Sequence, residues 1–168
     1  LSNRKRCLRD LKELGYQVGT GFMVGSPWQT MANLLEDLAF IRELQPQMIG
    51  IGPFIPHHAT PFKNYPAGTL EQTLTLLSVL RLMFPKVLLP ATTALGTIVP
   101  NGRELGILAG ANVVMPNLSP ADVRQNYLLY DNKLCSGTEA AEAKNDLAAR
   151  LHSIGYEIAE GRGDYKES

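Results

Sequence analysis

Four short segments carry side chains whose types and spacing could do chemistry. Thr92 and Thr93 are adjacent hydroxyls, and two hydroxyls beside free backbone N–H groups at a strand end can hold a carboxylate without a formal charge. The plainer alternative is a pair of β-branched residues closing a strand. Tyr127 and Tyr130 are three residues apart, which puts them on one face of a helix as aromatic walls with polar tips, or as half-buried packing. The run Pro53-Phe54-Ile55-Pro56-His57-His58 leads apolar residues into a loop stiffened by proline. That surface suits the face of a ring such as adenine with Met48 as a soft contact beneath it, or the packing of an ordinary loop on a helix. His57 and His58 are neighbours whose side chains tend to diverge, with no Cys or carboxylate at ligand spacing. No metal-ligand set is expected in this chain, and His152 reads as incidental on a surface helix. Gly19, Gly21 and Gly25 are misspaced for a GxGxxG phosphate loop, and Ser26-Pro27 parts them from the next helix. They permit close packing inside a strand, or the approach of a flat ligand to the backbone.

A chain of 168 residues and 18.4 kDa has room for one domain with a core, but falls short of the roughly 250 residues of a complete (β/α)₈ barrel. Hydrophobic residues make up 45% and charged ones 19%, the composition of a globular protein and not of a disordered one. Sixteen basic side chains balance sixteen acidic ones, so there is no electrostatic footprint for nucleic acid or an acidic membrane. No apolar run approaches the ~20 residues of a bilayer span, and no cleavable leader is visible, which makes the cytoplasm the expected location. Cys7 and Cys135 are too few for a disulfide scaffold and too distant to read as a metal pair. The chain opens on Leu1 and reads almost at once as a helix over 4–14; a fragment is the expectation.

The elements that must position these residues alternate between strand and helix. Strands are expected over 17–24, 48–53, 87–91 and 112–115, with helices over 30–44, 70–84 and 102–110 between them. Ser119 is expected to cap a helix through Tyr130, and a last amphipathic helix spans 139–153 before a polar tail. All four strands are apolar throughout instead of alternating, the pattern of parallel strands covered on both faces. Their spacing is close to the 30 or so residues of a βαβ unit. A doubly wound sheet and part of a barrel both fit. Either way, specific loops follow each strand's carboxyl end: SPWQT, FIPHHATPF, TTALGT and PNLSP. Ligands of α/β folds sit at that end, so function should be read there.

Taken together, GYQVGTGFMVG, MIGIGPFIPH with TPF just beyond, LLPATTALGT, GANVVMPN and RQNYLLYDNK resemble one family. It is that of the E-type maturases of FeFe hydrogenase, radical S-adenosylmethionine enzymes related to biotin synthase and methylornithine synthase. The resemblance runs from about residue 4 to residue 133. It implies that residues 1–133 are the carboxyl half of a (β/α)₈ barrel, strands five to eight, with 134–168 a terminal helix and tail. In the complete enzyme a CxxxCxxC loop would ligate a 4Fe-4S cluster, and one-electron cleavage of S-adenosylmethionine would give a 5′-deoxyadenosyl radical. That motif is absent from this chain, so its ligands are expected in the amino-terminal half, and the chain alone should be inactive.

By the same resemblance, Arg4 would bind the S-adenosylmethionine carboxylate, and Met48, Pro53 and Ile55 would flank its adenine. Thr92 and Thr93 would hold a substrate carboxylate. Met115, Tyr127 and Tyr130 would line the substrate pocket, the tyrosines as the residues nearest the chemistry. An accessory cluster is not expected, because only Cys135 fits its three-cysteine pattern and Ala143 and Asp146 stand at the following positions. The implied partners are the other half of the barrel, a small iron complex bearing cyanide, carbon monoxide and cysteine, and further maturation proteins. Biotin synthase-like or methylornithine synthase-like chemistry is the alternative within the class. A non-catalytic half-barrel binding module is the alternative outside it.

Overall fold

Single side chains decide where the longer helices begin. In the computed structural model, which describes residues 1–116, 120, 123, 129–132 and 140–166, Thr30 and Asn33 exchange side-chain and backbone hydrogen bonds of 3.3 and 2.9 Å. This reciprocal cap satisfies two otherwise orphaned N–H groups at the start of α2, Met31–Leu44. Thr69 accepts from the Gln72 N–H at 3.2 Å to start α3, Leu70–Met83. The other elements in chain order are α1 Ser2–Glu13, β1 Gly19–Val24, β2 Met48–Pro53, β3 Pro90–Ala91, α4 Thr93–Ile98, α5 Gly102–Leu108, β4 Val113–Val114 and α6 Ala140–Ser153. No described helix is long and apolar enough to cross a membrane.

The strands are all parallel. β1 pairs with β2 from Gly19↔Met48 to Val24↔Pro53, and β3 pairs with β4 through Pro90↔Val113 and Ala91↔Val114. A Met48↔Leu88 bridge joins the two pairs, giving the order β1-β2-β3-β4. A doubly wound sheet reverses its strand order at a switch point, whereas a barrel adds each strand beside the last. The observed order is of the second kind, without closure among the described residues.

The expectation of strands covered on both faces is corrected. In β1, Gly19, Gly21 and Met23 are exposed while Val24 is buried, and in β2 the buried residues are Ile49, Ile51 and Pro53. One face packs under α2 and α3, where Ile49, Leu77, Leu80 and Leu89 have no exposure. Each such apolar side chain contributes about 1.5–3 kcal/mol on removal from water. The opposite face, carrying Gly19, Gly21, Met23, Met48, Gly50 and Gly52, has no described layer over it.

A second, smaller core gathers Ala91, Ile107 and Ala111 with Leu147 and Leu151 of α6. It is anchored by Arg150, whose guanidinium forks onto the carboxylate of Glu104, which is only 6% exposed, and also reaches the Pro100 carbonyl at 2.6 Å. At the other end, Arg81 donates to the carbonyls of Gly110 and Pro85 at 2.7 and 2.8 Å, tying α3 to the exit of α5. α1 buries no side chain. It rests on α2 through an exposed Arg9–Glu43 pair and through Lys12 on the Leu44 and Gln45 carbonyls.

Two further expectations change. TTALGT is not an open loop: Thr93–Ile98 is helical, because Leu95 drops into the main core and Gly102 fits so closely that a side chain there would strike the Leu95 carbonyl. Of the helix expected from Ser119 through Tyr130, Leu129 and Tyr130 are not helical, and Ser119 lies outside the described residues. The Asp131 N–H donates to the Pro56 carbonyl at 3.2 Å, and Asn132 takes a positive φ of 56°. Tyr127 lies outside the described residues.

Candidate functional site

Register alone brings the first site residues together. Stepping two residues at a time from the Met48↔Leu88 bridge places Gly50 level with Pro90, and Gly52 level with Thr92, on the face away from α2 and α3, where Pro90 is buried. A Cβ on Gly52 would lie 2.6 Å from Thr92 Oγ1. Thr92 occupies the N-cap position of α4, yet its hydroxyl caps nothing. A threonine there ordinarily turns its oxygen onto the first-turn N–H groups. Here the hydroxyl is turned to β2 and is buried without a hydrogen-bond partner among the described residues. An orphaned buried hydroxyl costs about 1–3 kcal/mol, which marks Thr92 as a group awaiting an acceptor or donor. Thr93 opens α4 half-buried, its carbonyl accepting from Thr97 Oγ1 at 3.1 Å.

Pro90 faces Val113 in the register, so one further step sets Met115 level with Thr92, and Met115 is 55% exposed. Met48, Gly52, Thr92 and Met115 thus share one face. Pro53 does not: it alternates with Gly52 and is buried beside Val24 on the helix side. Ile55 follows half-buried in the loop. That loop is closed at its base by Phe54 N–H on the Val24 carbonyl and Gly68 N–H on the Phe54 carbonyl, each 2.8 Å.

Arg4 stands apart from these residues. It is exposed on α1 and lines a groove of about 440 Å³ with Thr20, Gly21, Phe22 and Asp37, one bounded by none of Met48, Pro53 and Ile55. Burial raises the Asp37 carboxyl above its ordinary pKa, against a smaller opposing pull from Lys5. Tyr130 is half-buried near Arg103. Burial lowers the Arg103 pKa first, Arg150 adds repulsion, and Glu104 and Tyr130 oppose both.

Two groupings at this end escaped the sequence reading. Trp28, in a left-handed conformation with φ 61°, packs edge-on against Phe62 and Tyr65 at ring separations of 5.8 and 5.3 Å. The aromatic residues of SPWQT and TPF were the available signal. The other is Asp131, whose carboxylate meets His58 Nδ1 at 2.7 Å and the His58 N–H at 2.8 Å. Nothing in the sequence couples residues 73 apart.

No family model matches the chain. Among curated proteins, the [FeFe] hydrogenase maturase subunit HydE of Thermotoga maritima is 51% identical over 133 residues, covering 79% of this chain and 38% of that protein. The 3-methylornithine synthase of Methanosarcina barkeri is 33% identical over 131 residues, 78% of this chain and 37% of that protein. Among solved structures, methylornithine synthase (PylB) superposes with a TM-score of 0.74 at 28% identity, covering 95% of this chain and 45% of that one. The chain spans about two fifths of the length of these curated relatives.

Proposed function

On the premise that this chain is a partial homologue of the HydE maturase, we propose that it is the carboxyl half of a (β/α)₈ radical S-adenosylmethionine barrel. The whole protein would act on a small iron complex during assembly of the diiron site of FeFe hydrogenase. The observation that carries the reading is the face shared by Met48, Gly52 and Thr92, within a segment 51% identical to HydE.

The residues present fit one of the implied groups and not the other. Two cysteines, Cys7 and Cys135, cannot supply a three-cysteine cluster loop, so this chain is not where a 4Fe-4S cluster is held. The half-buried Ile55 would suit the adenine of S-adenosylmethionine, and the Thr92 hydroxyl, buried and unpartnered among the described residues, would suit the carboxylate of the substrate. When bound on a cluster from elsewhere in the protein, S-adenosylmethionine would supply one-electron radical chemistry. This chain's own part is to orient and to exclude water. Thr92 and Thr93 would hold the substrate carboxylate by hydrogen bonds, Ile55 would offer apolar contact to the adenine, which Met48 at the far, amino end of β2 would not reach, and Met115, Tyr127 and Tyr130 would wall the substrate. Arg4 would reach the S-adenosylmethionine carboxylate only if α1, which buries nothing, is repositioned by the remaining half.

The open outer edges of β1 and β4, unpaired among the described residues, are where that half would add strands, since such edges are templates for pairing. The test is complementation. Joined in frame behind an amino-terminal half carrying CxxxCxxC and reconstituted with iron and sulfide, the chain should bind and cleave S-adenosylmethionine and restore hydrogenase maturation. A folded, cluster-loaded fusion that instead makes methylornithine would transfer the chain to the other relative's chemistry. One that does neither would leave a binding module.

A further inference from the structure

We propose that His57, His58 and Asp131 form a binding site for a divalent transition-metal ion that clips the loop after β2 to the segment after β4. One ligand atom from each of the three residues lies within 4.8 Å of the other two. The two imidazoles stack with centroids 4.3 Å apart and planes 25° apart, so these neighbouring side chains converge instead of diverging. Asp131 is fixed before any ion arrives: one carboxylate oxygen takes the His58 N–H at 2.8 Å, and its own N–H donates to the Pro56 carbonyl at 3.2 Å. Its other oxygen stands 2.7 Å from His58 Nδ1.

A shared proton now holds that last pair together, and a metal ion would take the proton's place. With neutral His58 the proton moves from Nδ1 to the outward nitrogen and none is lost; with protonated His58 one is released to solvent. His57 Nδ1 accepts the Ala59 N–H at 3.1 Å, so an ion bound at that nitrogen would displace this hydrogen bond, its single lone pair being engaged there. Two imidazoles with one carboxylate suit zinc, iron(II), cobalt(II) or nickel(II), and not the hard cations calcium and magnesium, which take all-oxygen sites. His58 is largely exposed, so solvent would complete the coordination shell and the affinity should be moderate. None of these three residues belongs to the face shared by Met48, Gly52 and Thr92, and the inference stands whether or not the proposed function does. Asp131 directly follows Tyr130, so an ion here would also hold that tyrosine in place.

The experiment is titration of Zn²⁺ into the chelator-stripped 168-residue chain at neutral pH, with His58→Ala and Asp131→Asn alongside. The Cys7→Ser/Cys135→Ser background removes competing thiols. One ion per chain at micromolar Kd is expected, weakened about tenfold or more by either variant. Binding only in the millimolar range, or binding that neither variant weakens, would overturn the site. Independently of any variant, Co²⁺ should broaden the ring proton signals of two of the three histidines in the chain and spare the third, His152. Broadening of His152 alone, or of none, refutes it.

Discussion

A methyl group on Gly52 would stand 2.6 Å from the Thr92 hydroxyl oxygen and 3.4 Å from the Thr92 Cβ. Side-chain atoms, not backbone, are what it would strike, so the conflict can be relieved from the other partner. Gly52→Ala should therefore destabilise the chain by about 1–3 kcal/mol through overpacking. Adding Thr92→Ala should return most of that loss, and denaturant melts of the two single variants and the double would give a favourable coupling. Purely additive effects would mean that β2 and β3 do not approach as described.

Thr92→Val separates stability from binding. Its hydroxyl caps no helix N–H and lies buried without a partner among the described residues, so an apolar replacement should leave the melting temperature unchanged or raise stability by about 1 kcal/mol. In the complete enzyme the same change should raise the substrate's KM, because the carboxylate loses a donor. A large drop in stability would show that the hydroxyl is already satisfied within the protein.

Much of this arrangement was legible in the residues. Apolar runs and turn glycines located all four strands and the helices α2 and α3. What escaped depended on contacts distant in sequence. TTALGT looked like a loop because its helix is only six residues long and is held by Leu95 entering the core, a burial that no local pattern records. The apolar strands gave no sign that the described residues leave one face of β1 and β2 uncovered, since glycine and methionine count as apolar whether or not anything covers them. Thr92 could be picked out at a strand end and Met48 by its softness, whereas Met115 came only through the resemblance; the register is what sets the three on one face. The Asp131 contact to His58 was not reachable from sequence, because residues 73 apart meet only in the folded chain.

Gly68, the one glycine of the loop between β2 and α3, should not accept a side chain. A Cβ there would lie 2.0 Å from the Val24 carbonyl oxygen and 3.0 Å from the Phe54 nitrogen, both backbone atoms of the loop's closing hydrogen bonds. No side chain can move aside to admit it. Gly68→Ala should cost about 3 kcal/mol or more and raise hydrogen exchange at the Phe54 amide, whereas Ala67→Gly next to it should leave that amide protected.

Glu104 and Arg150 fasten α6 to the first turn of α5. With Glu104 buried and bonded through both carboxylate oxygens, Arg150→Met should cost about 3–5 kcal/mol by stranding a charge out of water. Glu104→Gln in the same chain should recover part of it, since a neutral amide is cheaper to leave unpaired. If the double variant is no more stable than Arg150→Met, the loss comes from the arginine's bond to the Pro100 carbonyl instead.

Asp37 ties stability to pH in a direction opposite to most carboxylates. Burial in the groove between α1 and β1 raises its pKa above the ordinary 3.8, with Lys5 opposing and Glu36 adding a smaller push. The folded chain therefore holds this proton to higher pH than the unfolded chain does. Its contribution is fully present below pH 3.8, declines as pH rises through the folded value, and is a constant penalty beyond it. Asp37→Asn removes the titration, so it should raise the melting temperature at about pH 7 and change it little at about pH 3. Equal gains at both values would place the effect in packing and not in charge. A loss at pH 7 would mean that the Lys5 attraction outweighs burial. In that case α1 is held to the sheet by Asp37, and the groove beside Arg4 is a fixed feature of the chain and not one that the rest of a barrel must reorganise.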